Sequence, residues 1–376
     1  MTVFANAKVV LPGEVIEGHV AVENGVIAAV AEGAAAGDDL GGDYLIPGLV
    51  ELHTDHFEGH VAPRPKVRWD VMAALQAHDA QIAASGITTV FDCLRIGSSE
   101  GGPLSSEDSR DMGEAILTAQ RQGRLRAEHK LHLRCEVSDA QVMDGFRLFD
   151  DVPEVTLISL MDHTPGQRQF RSIDAYRIYY QDKLGMTDAQ FDVYFHDRKA
   201  RAGLWSDANR IALAAEARER GITVASHDDA TAEHVAEAVR DGVALAEFPT
   251  TIEAAEASKA EGMSILMGGP NLVRGRSHSG NISASELADI DHLDILSSDY
   301  VPFSMLQGAF MLATRDGWNL PRAIGTVTSG PAAALKLDDR GQIAEGRRAD
   351  LVRVHMAGDG RVPVVRAVYR EGVRVL

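Results

Sequence analysis

The sequence predicts an α/β fold: a (β/α)8 TIM-like barrel carrying a small β-sandwich domain formed by both termini. Three observations lead there. Eight short apolar runs of β character alternate with helical segments through the middle of the chain. The opening and closing segments are strand-and-turn sequence, neither with enough strands for a sheet of its own. Histidines and carboxylates recur at the carboxyl ends of the middle runs, where a barrel gathers its functional groups.

At the amino end, AKVVL, HVAVEN, GVIAAVAEG and GGDYLIPG alternate apolar residues between Gly and Asn-Gly turns, as in an array of hairpins. The closing GQIAEGRRADLVRVHMAG and RVPVVRAVYREGVRVL have the same texture. Residues 1–47 and 338–376 therefore pair into one composite β-domain, and 48–337 form the barrel. Barrel strands are expected near 49–55, 87–92, 131–137, 155–163, 222–228, 243–248, 263–269 and 293–299. Helices over 70–85 and 207–220 stop at Gly86 and Gly221, a common C-terminal signal. An open doubly wound sheet is the competing architecture. No G-x-G-x-x-G follows a strand, which weighs against it.

A chain of 376 residues, 45% apolar, has material for a full core. Its net charge of −18 disfavours nucleic acid and anionic membranes as partners, while leaving room for an anionic small substrate held by local cations. No apolar run is long enough to span a bilayer, and the opening MTVFANAKVVLPGEV lacks a basic region followed by an apolar one. Two cysteines, Cys93 and Cys135, suit a reducing compartment, so a cytoplasmic protein is expected.

The stretch HTDHFEGH, residues 53–60, follows the apolar run YLIPGLVEL and holds five side chains able to bind a divalent metal. Strand periodicity groups Leu49, Glu51, His53 and Asp55 on the inward face against Val50, Leu52 and Thr54. It likewise sets His132, Arg134 and Glu136 inward, opposite Leu131, Leu133, Cys135 and Val137. His163, His227 and Asp299 close three further strands. Taken singly, a His at a strand end is usually an ordinary polar residue and an Asp there a helix cap. His56, His60, His78, His234 and His292 fall under that reading. Three histidines and three carboxylates on one rim exceed what capping explains, and point to metal binding.

These segments carry a resemblance. YLIPGLVELHTD, GITTVFD, VASHDDAT, SSD and GQIAEGRRADLV resemble the amidohydrolase superfamily. More narrowly, HTDHFEGHVAPRPKVRW, RCEV, MDHTPGQRQF, SHDDAT, AEFPTT, GGPNLVRGRSHSGN and LSSDY are similar to the PhnM family, the α-D-ribose 1-methylphosphonate 5-triphosphate diphosphatases of the carbon–phosphorus lyase pathway. The likeness runs nearly end to end. It implies metal ligands at His53, Asp55, Glu136, His163, His227 and Asp299, with Asp299 also the catalytic base. It further implies a cofactor of two divalent ions, zinc, manganese or magnesium. Two features depart from the superfamily pattern: His53-Thr54-Asp55 replaces the usual His-x-His, and a Glu replaces the frequent carboxylated lysine. Both harden the site toward manganese or magnesium. The two later histidines also fall on the fourth and fifth strands rather than the fifth and sixth, and Glu247 closes the sixth as a ligand or a substrate contact.

A divalent ion lowers the pKa of a bound water to about 7, which supplies hydrolysis without naming a substrate. A phosphoanhydride needs no protonated leaving group, only cations around its phosphates. Arg64, Lys66 and Arg68 offer these after the first strand; Asn271, Arg274, Arg276, Ser277 and His278 offer them in the glycine-rich stretch after the seventh. The long segment between His163 and the helix at 207, with Arg168, Arg171, Arg177 and Lys183, reads as a lid or a structural insertion. The expected activity is hydrolysis of a ribose 5-triphosphate to the 5-monophosphate and pyrophosphate. The expected partners are that phosphorylated sugar and further copies of the chain. The rivals are an amidohydrolase acting on a cyclic amide, an N-acyl amino acid or a nucleobase, and a catalytically dead scaffold.

Overall fold

In the computed structural model, residues 1–97, 104–164, 168, 176–177, 181, 185–277, 281–358 and 362–376 are described. Five strands open the chain: β1 (Thr2–Val10), β2 (Val15–Glu23), β3 (Val26–Glu32), β4 (Asp38–Asp39) and β5 (Tyr44–Pro47). The barrel strands follow: β6 (Leu49–Thr54), β7 (Ile87–Ile96), β8 (Glu128–Glu136), β9 (Val155–Met161), β10 (Thr223–His227), β11 (Leu245–Glu247), β12 (Ser264–Gly268) and β13 (Ile295–Ser297). Each meets one of the eight apolar runs. They pair in sequence order, every neighbouring pair parallel. The ring closes where Thr54 bridges Asp299 in parallel, with the Asp299 amide donating to the His53 carbonyl at 3.0 Å.

The chain ends in β14 (Leu351–Met356), β15 (Pro363–Arg370) and β16 (Val373–Arg374). These join the first five strands in a second eight-stranded sheet, in the order β16-β15-β14-β5-β1-β2-β3, with β4 beside β1. β5 joins the two ends of the chain, pairing parallel with β1 and antiparallel with β14. Both arms of this sheet share one apolar core that includes Phe4, Val9, Val20, Ile27, Leu45 and Leu351. Burying that surface holds together two segments too short to fold separately.

The barrel interior explains where its chemistry sits. Val50, Leu52, Phe91, Leu157, Ala225, Leu245, Leu266 and Ile295 form an apolar plug. Two residues further along five of these strands the inward positions become Cys93, Ser159, His227, Glu247 and Ser297. The strand period thus converts an apolar floor into a polar layer in one step.

The expected inward face of β6 is half wrong. Val50 and Leu52 lie in the plug and Leu49 packs outward with the helices. Against β7, Glu51 faces Val90 and Thr54 faces Asp92, so β6 gains one residue over its partner. This bulge turns His53 back inward, which strict alternation could not foretell. Glu51 instead accepts the amides of His53 at 2.6 Å and Ser298 at 2.5 Å, fixing the bulge.

Between the strands, α1 (His56–Val61) and α2 (Val71–Ala84) follow β6. The Asp70 carboxylate accepts the Ala73 amide at 2.8 Å and starts α2; Gly86, at φ +86°, ends it in the left-handed region that glycine tolerates. The helix expected over 207–220 is the end of a 32-residue helix, Asp188–Glu219. Thr187 and Gln190 close a capping box at its start. It exposes Val193 and Leu204, at 71% and 72% of their surface, so no apolar stripe marked it in the sequence. From Asp188 onward the segment read as a lid is therefore helical. Arg171 and Lys183 lie outside the described residues.

Candidate metal centre

Glu247 is the hub of the polar layer and is 1% exposed. Its Oε1 lies 3.1 Å from His53 Nδ1 and its Oε2 lies 3.2 Å from His227 Nδ1. Ser159 Oγ donates to the same Oε2 at 2.6 Å and meets His132 Nε2 at 2.5 Å. The His53 and His227 rings stack with centroids 5.4 Å apart. Ligand atoms of His53, His227 and Glu247 all fall within 4.8 Å of one another, as do those of His163, His227 and Asp228. His227 thus belongs to two potential ion sites. His163 is oriented by Glu136, whose Oε2 sits 2.6 Å from His163 Nδ1 while its Oε1 accepts from Ser138 Oγ at 2.6 Å.

Asp55 occupies the N-cap position of α1 yet makes no side-chain cap bond. Its Oδ2 accepts from Arg134 Nη1 at 3.1 Å. The Asp55 amide donates to the Asp299 carbonyl at 3.1 Å, so the two acids sit across the closing seam of the barrel. Burial, and next the Asp55 carboxylate, push Asp299 up to about 6. Burial pushes Asp228 up to about 7. Asp228, Phe248 and Asp299 hold φ of +58°, +52° and +54°, a left-handed conformation costly for non-glycine residues and typical of functional rims.

The donor set fits a divalent cation. His53 Nδ1, Glu247 Oε1 and Asp228 Oδ2 are buried without a hydrogen-bond partner, although the first two approach each other at 3.1 Å. Such orphaned atoms are costly unless something positive meets them. Burial opposes charge on His53, but Cys93 and Glu247 outweigh it and hold the imidazole well above its ordinary range. Burial likewise opposes charge on Glu247, and His53 and His132 outweigh it, holding the carboxylate well below its range. Burial holds His227 at about 3, a neutral imidazole ready to ligate. Mixed imidazole and carboxylate donors suit zinc or manganese.

The candidate residues divide by place. His53, His227 and Glu247 share one group; His163, with Glu136 behind it, joins His227 in the second; Asp55 and Asp299 face each other across the seam. Glu247, left open from sequence as a ligand or a substrate contact, lies among the histidines, because β11 ends there pointing into the barrel. Asn271 is turned to its own loop: Oδ1 accepts the Ala284 amide at 2.9 Å and Nδ2 donates to the Ile282 carbonyl at 3.5 Å. Arg64, Arg68 and Arg274 are exposed, with Arg68 Nη2 donating to Asp108 at 3.1 Å. Arg274 ends the short helix Gly269–Arg274, and Ser277 is half-buried beyond it. His278 lies outside the described residues. Of the lid arginines, Arg168 pairs with Asp229 and Glu237 and Arg177 with Asp188 and Asp192.

Asp228, Cys93 and His132 escaped the sequence reading of the site. His132 had the right parity, but its neighbours could be known only from the closed barrel. Asp228 follows His227 directly, and only the left-handed turn brings it to the same side.

Fold and site together define a (β/α)8 barrel that concentrates histidines and carboxylates on its carboxyl-terminal rim. The Amidohydrolase family profile matches residues 80–376, and the chain belongs to that family. A curated relative, alpha-D-ribose 1-methylphosphonate 5-triphosphate diphosphatase of Escherichia coli (strain K12), is 50% identical over 376 residues, covering 98% of this chain and 99% of its own. Among solved structures, the N-acetyl-D-glucosamine-6-phosphate deacetylase of Mycobacterium smegmatis superposes with a TM-score of 0.64 at 16% identity, over 100% of this chain and 99% of that one. The corresponding deacetylase of Thermotoga maritima gives 0.63 at 14%, with the same coverage. At such identities the solved structures speak for the fold alone. Among the described residues no helix is long and apolar enough to cross a membrane.

Proposed function

We propose that the protein hydrolyses α-D-ribose 1-methylphosphonate 5-triphosphate to the 5-monophosphate and pyrophosphate. The observation that carries this reading is the 50% identity, end to end, with a diphosphatase of that name. The rim is built to suit: His53, Asp55, Glu136, His163, His227 and Asp299 would hold divalent ions, joined by Glu247 and Asp228. Two ions, of zinc, manganese or magnesium, would supply an activated water and positive charge facing the phosphates.

The protein's own groups do the remainder. Asp299 takes the proton from the attacking water, its raised affinity for protons matching it to a general base near neutral pH. Attack at the α-phosphorus in line with the leaving oxygen releases pyrophosphate as a stable anion, so no acid is required on that side. Arg134 anchors the Asp55 carboxylate. Arg64, Arg68, Arg274, Ser277 and His278 would meet the triphosphate. Asn271 would shape the loop that carries Arg274 rather than touch substrate itself. We place the reaction in the cytoplasm and in a homo-oligomer.

The test is a screen of ribose 5-triphosphates against lactams and N-acyl amino acids with manganese, zinc or magnesium supplied. Pyrophosphate release from the triphosphate is expected. Its absence with all three metals, or turnover of an amide instead, overturns the assignment.

A further inference from the structure

A second histidine cluster lies outside the rim centre. His56 and His60 stand four residues apart on α1 and so share one face. His78, on α2, is fully buried beneath them. The ring centroids are separated by 4.7 Å for His56 and His60, 5.4 Å for His56 and His78, and 6.0 Å for His60 and His78. One ligand atom from each falls within 4.8 Å of the others. No carboxylate belongs to this trio; Glu58, between the two helical histidines, pairs with Arg95.

The surroundings settle the orientation of His78. Its Nε2 lies 2.7 Å from Asp92 Oδ1, and Asp92 Oδ2 lies 2.6 Å from His129 Nδ1. Burial opposes charge on Asp92, but His129 and His78 outweigh it and hold the acid well below its usual range, so it is ionised and only accepts. His78 therefore carries its proton on Nε2 and turns the Nδ1 lone pair toward His56 Nδ1, 3.2 Å away. Two imidazole nitrogens on a tetrahedral zinc, each about 2.05 Å from the ion, stand about 3.3 Å apart. A carboxylate behind a ligating histidine is the usual support of such a site. Here that support extends through His129 to Asp79, which Arg126 meets at 3.0 Å.

We propose that His56, His60 and His78 bind a divalent ion of the imidazole-preferring class, zinc above all, with water in the fourth position. This site is distinct from the rim centre and does not rest on the proposed reaction. Its ion would clamp α1, which begins directly after Asp55, onto α2.

The full-length protein, stripped of metal and titrated with zinc chloride, tests it against His60→Gln and the His56→Gln/His60→Gln double variant. The unmodified protein is expected to bind one equivalent more than the double variant. His60→Gln, which removes a ligand itself, should weaken that equivalent by at least ~10²-fold, the most that losing a supporting partner costs. Equal stoichiometry and affinity in all three proteins overturns the proposal. Should the variants fail to fold, anomalous diffraction from zinc-soaked crystals of the unmodified protein decides. A peak about 2 Å from nitrogens of all three rings is expected. Rings joined only by hydrogen bonds, with no peak, overturn it.

Discussion

Asp299 carries two local costs at once. It sits beside Asp55 at the seam, in a left-handed backbone conformation, with its carboxyl raised to about 6. A carboxyl whose folded pKa lies above the unfolded value of about 3.9 subtracts stability as pH rises between the two, and the penalty is complete above the higher one. In metal-free protein, Asp299→Asn should therefore raise stability by about 1–2 kcal/mol at pH 8, discounting for the side chain's partial exposure. That gain should fade below about pH 4. Thermal melts across pH check both limbs. In metal-loaded protein the same change should lower turnover by about 10²-fold or more. Greater stability with lost activity would mark a residue kept for chemistry. Near-normal turnover would remove Asp299 from the mechanism.

Among the elements, β6 and β8 show how the strand period builds the site and how it fails. On β8 alternation holds, and the inward set His132, Arg134 and Glu136 was legible from spacing alone. On β6 the extra residue between Glu51 and Thr54 reverses the pattern, and no local sequence signal announces it. Glu128, at the start of β8, ties the barrel floor to the closing segment: Oε2 accepts from Arg340 at 2.7 Å and also from Arg348. Burial opposes its charge, but Arg340 and Arg348 outweigh it and hold the carboxyl below its usual range. Such a depressed acid stabilises above the unfolded pKa of about 4.3, and that stability is lost as pH falls through the folded value. Glu128→Gln should cost about 1–3 kcal/mol at pH 7, allowing for 25% exposure of the side chain. The difference from the unmodified protein should narrow below about pH 4. A gap that persists unchanged into acid would show that packing, not charge, is at stake.

For the whole molecule, the seam between β6 and β13 is where ring closure and the proposed ion binding would meet. Glu247, Asp228, Asp55 and Asp299 are brought to one rim as the ring closes, and a bound cation would relieve the repulsion among them. Chelation should therefore lower the melting temperature by several degrees as well as abolish turnover, since an ion bound only by the folded state stabilises it. Replenished manganese or zinc should restore both. A melting temperature indifferent to chelator would argue that no ion sits at the rim.

By itself the sequence determined the order and number of barrel strands, the partnership of the two termini, and which histidines and carboxylates stand near the strand ends. These depend on local periods and on motifs that lie within a few residues of each other. Tertiary structure alone decided that His53 turns inward across a bulge, that Glu247 sits among the histidines, and that Asp228 joins them through a left-handed turn. It alone gathered His56, His60 and His78 from two helices. The physical reason is common to all four: which side chains meet is set by partners distant in sequence, and no local repeat encodes them.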